Sequence, residues 1–264
     1  MGEVLVITSG KGGVGKTTAA ANLGAAIAQS GKKVVIVDMD LGLRKLDIAL
    51  GIGDRVVYNV VDVIKNRCEL DDALVRDERF GELYVLCASQ SENKLSITPE
   101  QMKKLCSELS EIFDYVIVDS PAGVERGFEN SVAGADSAVI VVVPEPSSVR
   151  DADRIADILT EQYHIRNITV LINRYNANIV KRGGMLKADE IINMLRMRIT
   201  GIIPEDESVV FSVSCGHPVV MDKKSRAAEC YRNTASRIMG IDIPLSCFKS
   251  DGLLKRIITA INNK

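Results

Sequence analysis

A doubly wound α/β fold with a mostly parallel sheet is the architecture this sequence predicts, and three observations carry it. Short β-branched runs recur along the chain, helix-like stretches lie between them, and a glycine-rich loop follows the first run and opens the first helix. The runs are VLVIT at 4–8, KVVIVD at 33–38, LYVLCA at 83–88, YVIVDS at 115–120, AVIVVV at 138–143, ITVLIN at 168–173 and ITGIIP at 199–204. Each is short and apolar enough to be a strand buried on both faces. Helices are expected at 16–29, 99–112, 149–162 and 188–195. In such a sheet ligands sit at the carboxyl ends of the strands, so the residues just past each run matter most.

Bulk properties narrow the function classes. The chain has 264 residues, with 33 Lys plus Arg against 35 Asp plus Glu, and a net charge of -2. No global cationic field holds it to nucleic acid or to a membrane, and any such contact must be local. One domain is expected over 1–245, then a short polar linker at 246–252 and a terminal amphipathic helix at 253–264. The six cysteines are scattered without a CxxC pair, and read as reduced, mostly packed thiols. The first residues lack the basic start and apolar run of a signal peptide, and the longest apolar runs fall far short of the ~20 residues that span a bilayer. A cytoplasmic protein is expected.

The loop after the first strand reads GKGGVGKTT. Gly10, four residues, then Gly15, Lys16 and Thr17 match the phosphate-loop pattern in its required setting between a strand and a helix. The glycines let backbone N–H groups over Gly10, Lys11, Gly12, Gly13, Val14, Gly15, Lys16, Thr17 and Thr18 face phosphates. Lys16 is placed to reach the β and γ phosphates, and the Thr17 hydroxyl to ligate Mg²⁺. VVIVDMD puts Asp38 and Asp40 just past the second strand, and YVIVDSPAG puts Asp119 at the end of a later one. In a phosphate-loop enzyme one such carboxylate holds Mg²⁺, often through water, while another group orients the attacking water. Either aspartate alone would read equally well as a helix cap.

One lysine is left over. Lys11 stands at the second position of the loop, and KGGVGKTT resembles the deviant Walker A signature of the MinD/ParA ATPase superfamily. That resemblance implies a dimer-dependent ATPase in which Lys11 crosses to the partner's nucleotide, adding a cation much as an arginine finger does. It also implies catalytic roles for Lys11, Lys16 and Asp40, with Asp40 orienting water and Thr17, Asp38 and Asp119 at the metal. Asn173 and Arg174, with Pro204, Glu205 and Asp206 opposite, would cradle adenine, and Asp151 would lie near Lys11 or the dimer interface.

Longer segments, among them DMDLGLRKLDIALG, VDSPAGVERGF, PEPSSVRDADRI and GIIPEDESV, resemble the superfamily's septum-placing branch in the same order along nearly the whole chain. Two positions depart from its pattern. Lys45 stands where that branch has asparagine, and Pro146 where it has valine. The resemblance implies control of where the division septum forms, with ATP and Mg²⁺ as ligands. It also implies a division inhibitor of the MinC type and a topological factor of the MinE type or another as partners. The alternatives within the superfamily are a regulator of flagellar number and a ParA-type DNA-segregation ATPase. An iron-sulfur dimer is disfavoured because no cysteine lies beside DSPAGVERG.

The tail GLLKRIITAINNK places Leu253, Leu254, Ile257, Ile258 and Ile261 on one helical face, with Lys255 and Arg256 flanking. Aliphatic side chains at ~1.5 to 3 kcal/mol each, only partly inserted, compete with ~1 to 2 kcal/mol per residue for ordering the segment. Anionic lipid adds ~1 kcal/mol per cation, so one tail binds marginally and two tails on a dimer bind well. Peripheral attachment to the inner face of the membrane, set by nucleotide state, is the expected consequence.

Overall fold

A computed structural model describes residues 1–43 and 45–245 of the chain. Among the described residues eight strands form one sheet: β1 (Glu3–Thr8), β2 (Val34–Asp38), β3 (Leu74–Asp77), β4 (Leu83–Leu86), β5 (Tyr115–Asp119), β6 (Ser137–Val142), β7 (Asn167–Tyr175) and β8 (Arg198–Pro204). Their order is β3-β4-β2-β5-β1-β6-β7-β8. All neighbours are parallel except β3 and β4. The seven expected strands are all present. Edge strand β3, LVRD, is an addition, because a four-residue antiparallel edge with two charged residues lacks the apolar run that marks a central strand.

The described helices are α1 (Lys16–Gln29), α2 (Leu46–Leu50), α3 (Val60–Ile64), α4 (Leu70–Ala73), α5 (Pro99–Ile112), α6 (Arg126–Val132), α7 (Pro146–Glu161), α8 (Ala177–Lys181), α9 (Ala188–Leu195), α10 (Glu207–Ser214) and α11 (Arg226–Ile238). Local chemistry sets the ends of the long ones. Thr98 and Gln101 form a capping box ahead of α5, with Pro99 at its first position. Pro146 likewise opens α7, three residues before the expected start, since proline's fixed φ suits that position.

Side chains alternate across the sheet and divide the core in two. In β1, Val4 and Val6 pack on the face covered by α5, α6, α7 and α9, while Leu5 and Ile7 pack against α1 and α11. Close helix-to-strand approach is enforced where bulk is missing. A Cβ on Gly24 of α1 would lie 2.6 Å from the Ile36 Cδ1 atom, and one on Gly201 of β8 would lie 2.0 Å from the Thr234 Oγ1 atom of α11.

Two expectations need correction or bounding. Reduced thiols hold at Cys68, Cys106 and Cys215, but Cys230 is disulfide-bonded. A disulfide needs two Cβ atoms ~4 Å apart, a distance that sequence spacing does not reveal. The polar linker 246–252 and the terminal helix, with Leu253, Leu254, Lys255, Arg256, Ile257, Ile258 and Ile261, lie outside the described residues. Among the described residues no helix is long and apolar enough to cross a membrane.

Candidate functional site

The site forms where the chain reverses direction across the sheet. From β1 the chain moves outward through β2 to the β3 edge, returns to β5 beside β1, and then crosses to β6 on the other side. The carboxyl ends of β1, β2, β5 and β6 therefore meet at this switch point, which is where open α/β sheets take ligands.

The phosphate loop is built on two tight positions. Gly15 adopts a φ of 97°, and a Cβ there would meet the Asn173 Nδ2 atom at 2.4 Å. Gly10 lies against α7, where an added Cβ would sit 2.4 Å from the Asp151 Cβ atom. No side chain caps α1, so its first N–H groups remain available to an anion. Asn173, two residues before the end of β7, donates its amide to the Val14 carbonyl at 2.8 Å and accepts from the Arg174 N–H at 3.0 Å. It supports the loop from behind. Lys16 is buried, and its ammonium donates to the Ser9 hydroxyl at 2.8 Å, which in turn donates to the Lys11 carbonyl at 2.8 Å. Burial lowers the Lys16 pKa, the carboxylates of Asp119 and Asp40 oppose that shift, and the charge of Lys45 adds to it.

Strand pairing sets the acidic half. β2 and β5 run in a register that places Asp38 directly beside Asp119. Both are fully buried. The Asp38 carboxylate accepts from the Asp40 N–H at 2.9 Å and the Leu46 N–H at 3.3 Å, yet burial still pushes its pKa up to about 6. Among the described residues neither carboxylate oxygen of Asp119 has a hydrogen-bond partner. Burial first, and the neighbouring charge of Asp38 second, push Asp119 up to about 8; the Thr17 hydroxyl beside it offsets only part of this. An orphaned, fully buried carboxylate next to a buried lysine is costly unless a cation joins it. One hydroxyl and two carboxylates are a poor cage by themselves but suit Mg²⁺ that keeps water and takes phosphate oxygens. The residues present fit a magnesium nucleotide.

That cost has a definite dependence on pH. A carboxylate with a folded pKa above its unfolded value holds extra protons in the folded state, so stability falls as pH rises between the two values. For Asp119 this window runs from about 4 to about 8. Asp119→Asn is expected to be more stable than the parent by an amount that grows as pH rises through this window. Urea unfolding of both proteins at pH 5 and pH 8 checks this. An equal difference at both values would contradict the assigned burial cost.

The remaining residues fall into three groups. Asp40, at the rim, pairs with Lys45 at 2.9 Å. Lys11 pairs with Glu145 at 2.8 Å, both about half exposed. Asp151 abuts the loop at Gly10, while the carboxylate that meets Lys11 is Glu145. The group expected around adenine is more mixed. Arg174 is exposed and takes a left-handed φ of 54°, and Pro204 ends β8 beside Tyr175. Glu205 accepts from the Asn176 side chain at 2.9 Å. Asp206 caps α10 by accepting from the Ser208 N–H at 2.9 Å, and it also accepts from the Ser225 hydroxyl at 3.0 Å and the Ala227 N–H at 3.2 Å. Burial raises the Asp206 pKa, but these hydrogen bonds outweigh it and leave the group below the ordinary range. Asp206 therefore ties the starts of α10 and α11 together.

Sequence reasoning missed Ser9, Glu145 and Ser148. Ser9 precedes the motif, and its role exists only because Lys16 folds back onto it. Glu145 is 134 residues from Lys11. The Ser148 hydroxyl accepts the Val143 N–H at 3.1 Å and shapes the turn that carries Glu145.

Comparison with known proteins agrees with this geometry. Residues 5–219 match the CobQ/CobB/MinD/ParA nucleotide binding domain. The septum site-determining protein MinD of Bacillus subtilis is 45% identical over 260 residues, covering 97% of each chain. The MinC:MinD cell division protein complex of Aquifex aeolicus superposes with a TM-score of 0.86 at 46% identity, covering 92% of this chain and 98% of that one. MinD of Pyrococcus horikoshii, solved with Mg-ADP, superposes at 0.82 with 27% identity, covering 90% of this chain and 96% of that one. By its loop, its sheet order and its similarity over nearly the whole length, the chain belongs to the MinD family of septum site-determining proteins, within the CobQ/CobB/MinD/ParA nucleotide-binding family.

Proposed function

We propose that this chain is an ATPase that controls where the division septum forms, pairing with a second copy of itself over Mg-ATP and hydrolysing ATP in the pair. The observation that carries the proposal is the buried Lys16 ammonium near a fully buried Asp119 carboxylate that the Thr17 hydroxyl only partly compensates, at the mouth of a phosphate loop. Such a pair is a preformed half of a magnesium nucleotide site. The Mg-ADP held by the Pyrococcus relative and the complex formed by the Aquifex relative with MinC support the ligand and a MinC-type inhibitor as partner.

The roles follow from position. Bound Mg-ATP supplies the γ-phosphoryl group that water attacks. The N–H groups from Gly10 to Thr18 cradle the phosphate oxygens, and Lys16 holds the bridging region between β and γ. Thr17, Asp38 and Asp119 would hold Mg²⁺, which would neutralise phosphate charge there, and Asp40 orients the attacking water. Lys11 leaves Glu145, extends to the second copy's nucleotide and stabilises charge as the γ-phosphoryl departs. Asn173, Arg174, Pro204 and Glu205 line the adenine side, where Asp206 acts through helix capping. Residues 253–264 carry the membrane contact, and a topological factor of the MinE type, or another, stimulates turnover.

Sedimentation with anionic liposomes tests the output. The full chain is expected to pellet with Mg-ATP and to stay in solution with Mg-ADP, while a chain ending at Gly252 stays in solution with either. Pelleting of both chains irrespective of nucleotide would overturn the coupling of nucleotide to membrane.

A further inference from the structure

The segment after β2 is clasped on itself. The Asp38 carboxylate gathers the Asp40 and Leu46 N–H groups, and Lys45, the residue just before α2, closes the turn with its ammonium 2.9 Å from the Asp40 Oδ2 atom. The Lys45 side chain is 53% exposed against 18% for Asp40. So the carboxylate proposed to orient water is held by a cation that solvent and ligand can reach. The charge of Lys45 is also felt at Lys16, which puts both ammonium groups in the neighbourhood where phosphates would bind.

From this we propose that Lys45 is a positioning residue that makes the availability of Asp40 depend on the third phosphate. An exposed lysine-carboxylate pair with a single close contact is weak. A γ-phosphate carries more charge and more acceptor oxygens than one carboxylate, and a lysine on a flexible four-carbon stem exchanges partners readily. ATP therefore draws Lys45 away and frees Asp40 for the water. ADP offers no group at that place, and the clasp stays closed. The same exchange makes Lys45 a discriminator between ATP and ADP. The proposal rests on the nucleotide reading of the site given above.

Equilibrium binding tests it without reference to turnover. Fluorescently tagged ADP and a non-hydrolysable ATP analogue are titrated, with Mg²⁺, into the parent, Lys45→Asn, Asp40→Asn, the double variant and Lys45→Arg. Lys45→Asn is expected to weaken the ATP analogue about tenfold and to leave ADP within about twofold, while Lys45→Arg keeps the parent's preference. Asp40→Asn is expected to tighten the analogue about fivefold where Lys45 is present, and by less than about twofold where asparagine replaces it. Either an unchanged ATP-to-ADP preference in Lys45→Asn or an equal Asp40→Asn gain in both backgrounds overturns the proposal. Failure of the parent to bind either nucleotide would remove the underlying reading, and the proposal with it. The two failures are therefore distinct.

Discussion

Replacing Lys16 by alanine is expected to abolish ATP turnover, with a loss on the order of a thousandfold or more, and to weaken nucleotide binding in parallel. The reason lies in where the ammonium sits. It is buried, anchored to Ser9 at 2.8 Å, and aimed into a site whose other wall is the Asp38 and Asp119 carboxylates. Without it, two buried carboxylates face incoming phosphates with no fixed cation. Repulsion then opposes binding as well as transfer. Folding should suffer less, because Asp119, pushed up to about 8, takes up a proton and leaves Asp38 as the charged carboxylate of the pair. Steady-state turnover, ADP titration and thermal unfolding of Lys16→Ala check the three statements together. Retention of more than about a tenth of parent turnover would contradict the assigned role.

Lys11 should behave differently, although it lies only five positions away. Its ammonium is at the surface, 45% exposed, and pairs with the Glu145 carboxylate on the turn after β6. Lys11→Ala is therefore expected to leave folding and single-chain nucleotide binding within about twofold of the parent, since exposed pairs contribute little. Turnover should still fall by a factor on the order of a hundred or more, because a transferred cation acts on the transition state rather than the ground state. Loss of turnover with intact binding separates Lys11 from Lys16, where both are lost.

Much of the fold and of the site is legible in local sequence, and the limits have physical reasons. The seven parallel strands can be read because strands buried on both faces must be continuous apolar runs. Glycines, Lys16 and Thr17 can be read because a phosphate loop needs a short contiguous segment with fixed spacing. Asp38 and Asp119 can be suspected, but their lying side by side depends on β2 pairing with β5, strands far apart in the chain. Helix α11 escapes a sequence reading, although it buries Ala227, Ala228, Cys230, Tyr231, Thr234 and Ala235. Small and polar residues supply much of that face, which a search for large aliphatics passes over. Asp206 resembles a ligand residue, yet its carboxylate is spent on two helix starts, a role set by α11 returning to β8. Lys45 is visible as a departure from the family pattern. What it touches is visible only with the turn folded.

The central claim is that each site becomes complete only when the lysine of a second copy enters it, and mixing two disabled chains tests this most directly. In the proposed reading Lys11→Ala lacks the crossing cation, and Asp40→Asn lacks the group that orients water. Each alone should be nearly inactive. In an equimolar mixture, the hybrid pair holds one complete site, formed by the Lys11→Ala chain's own Asp40 and the other chain's Lys11. Turnover should recover to about a quarter of the parent's, since about half the pairs are hybrids and each has one working site of two. No recovery on mixing, or full activity of Lys11→Ala at a dilution that separates the copies, would contradict the claim.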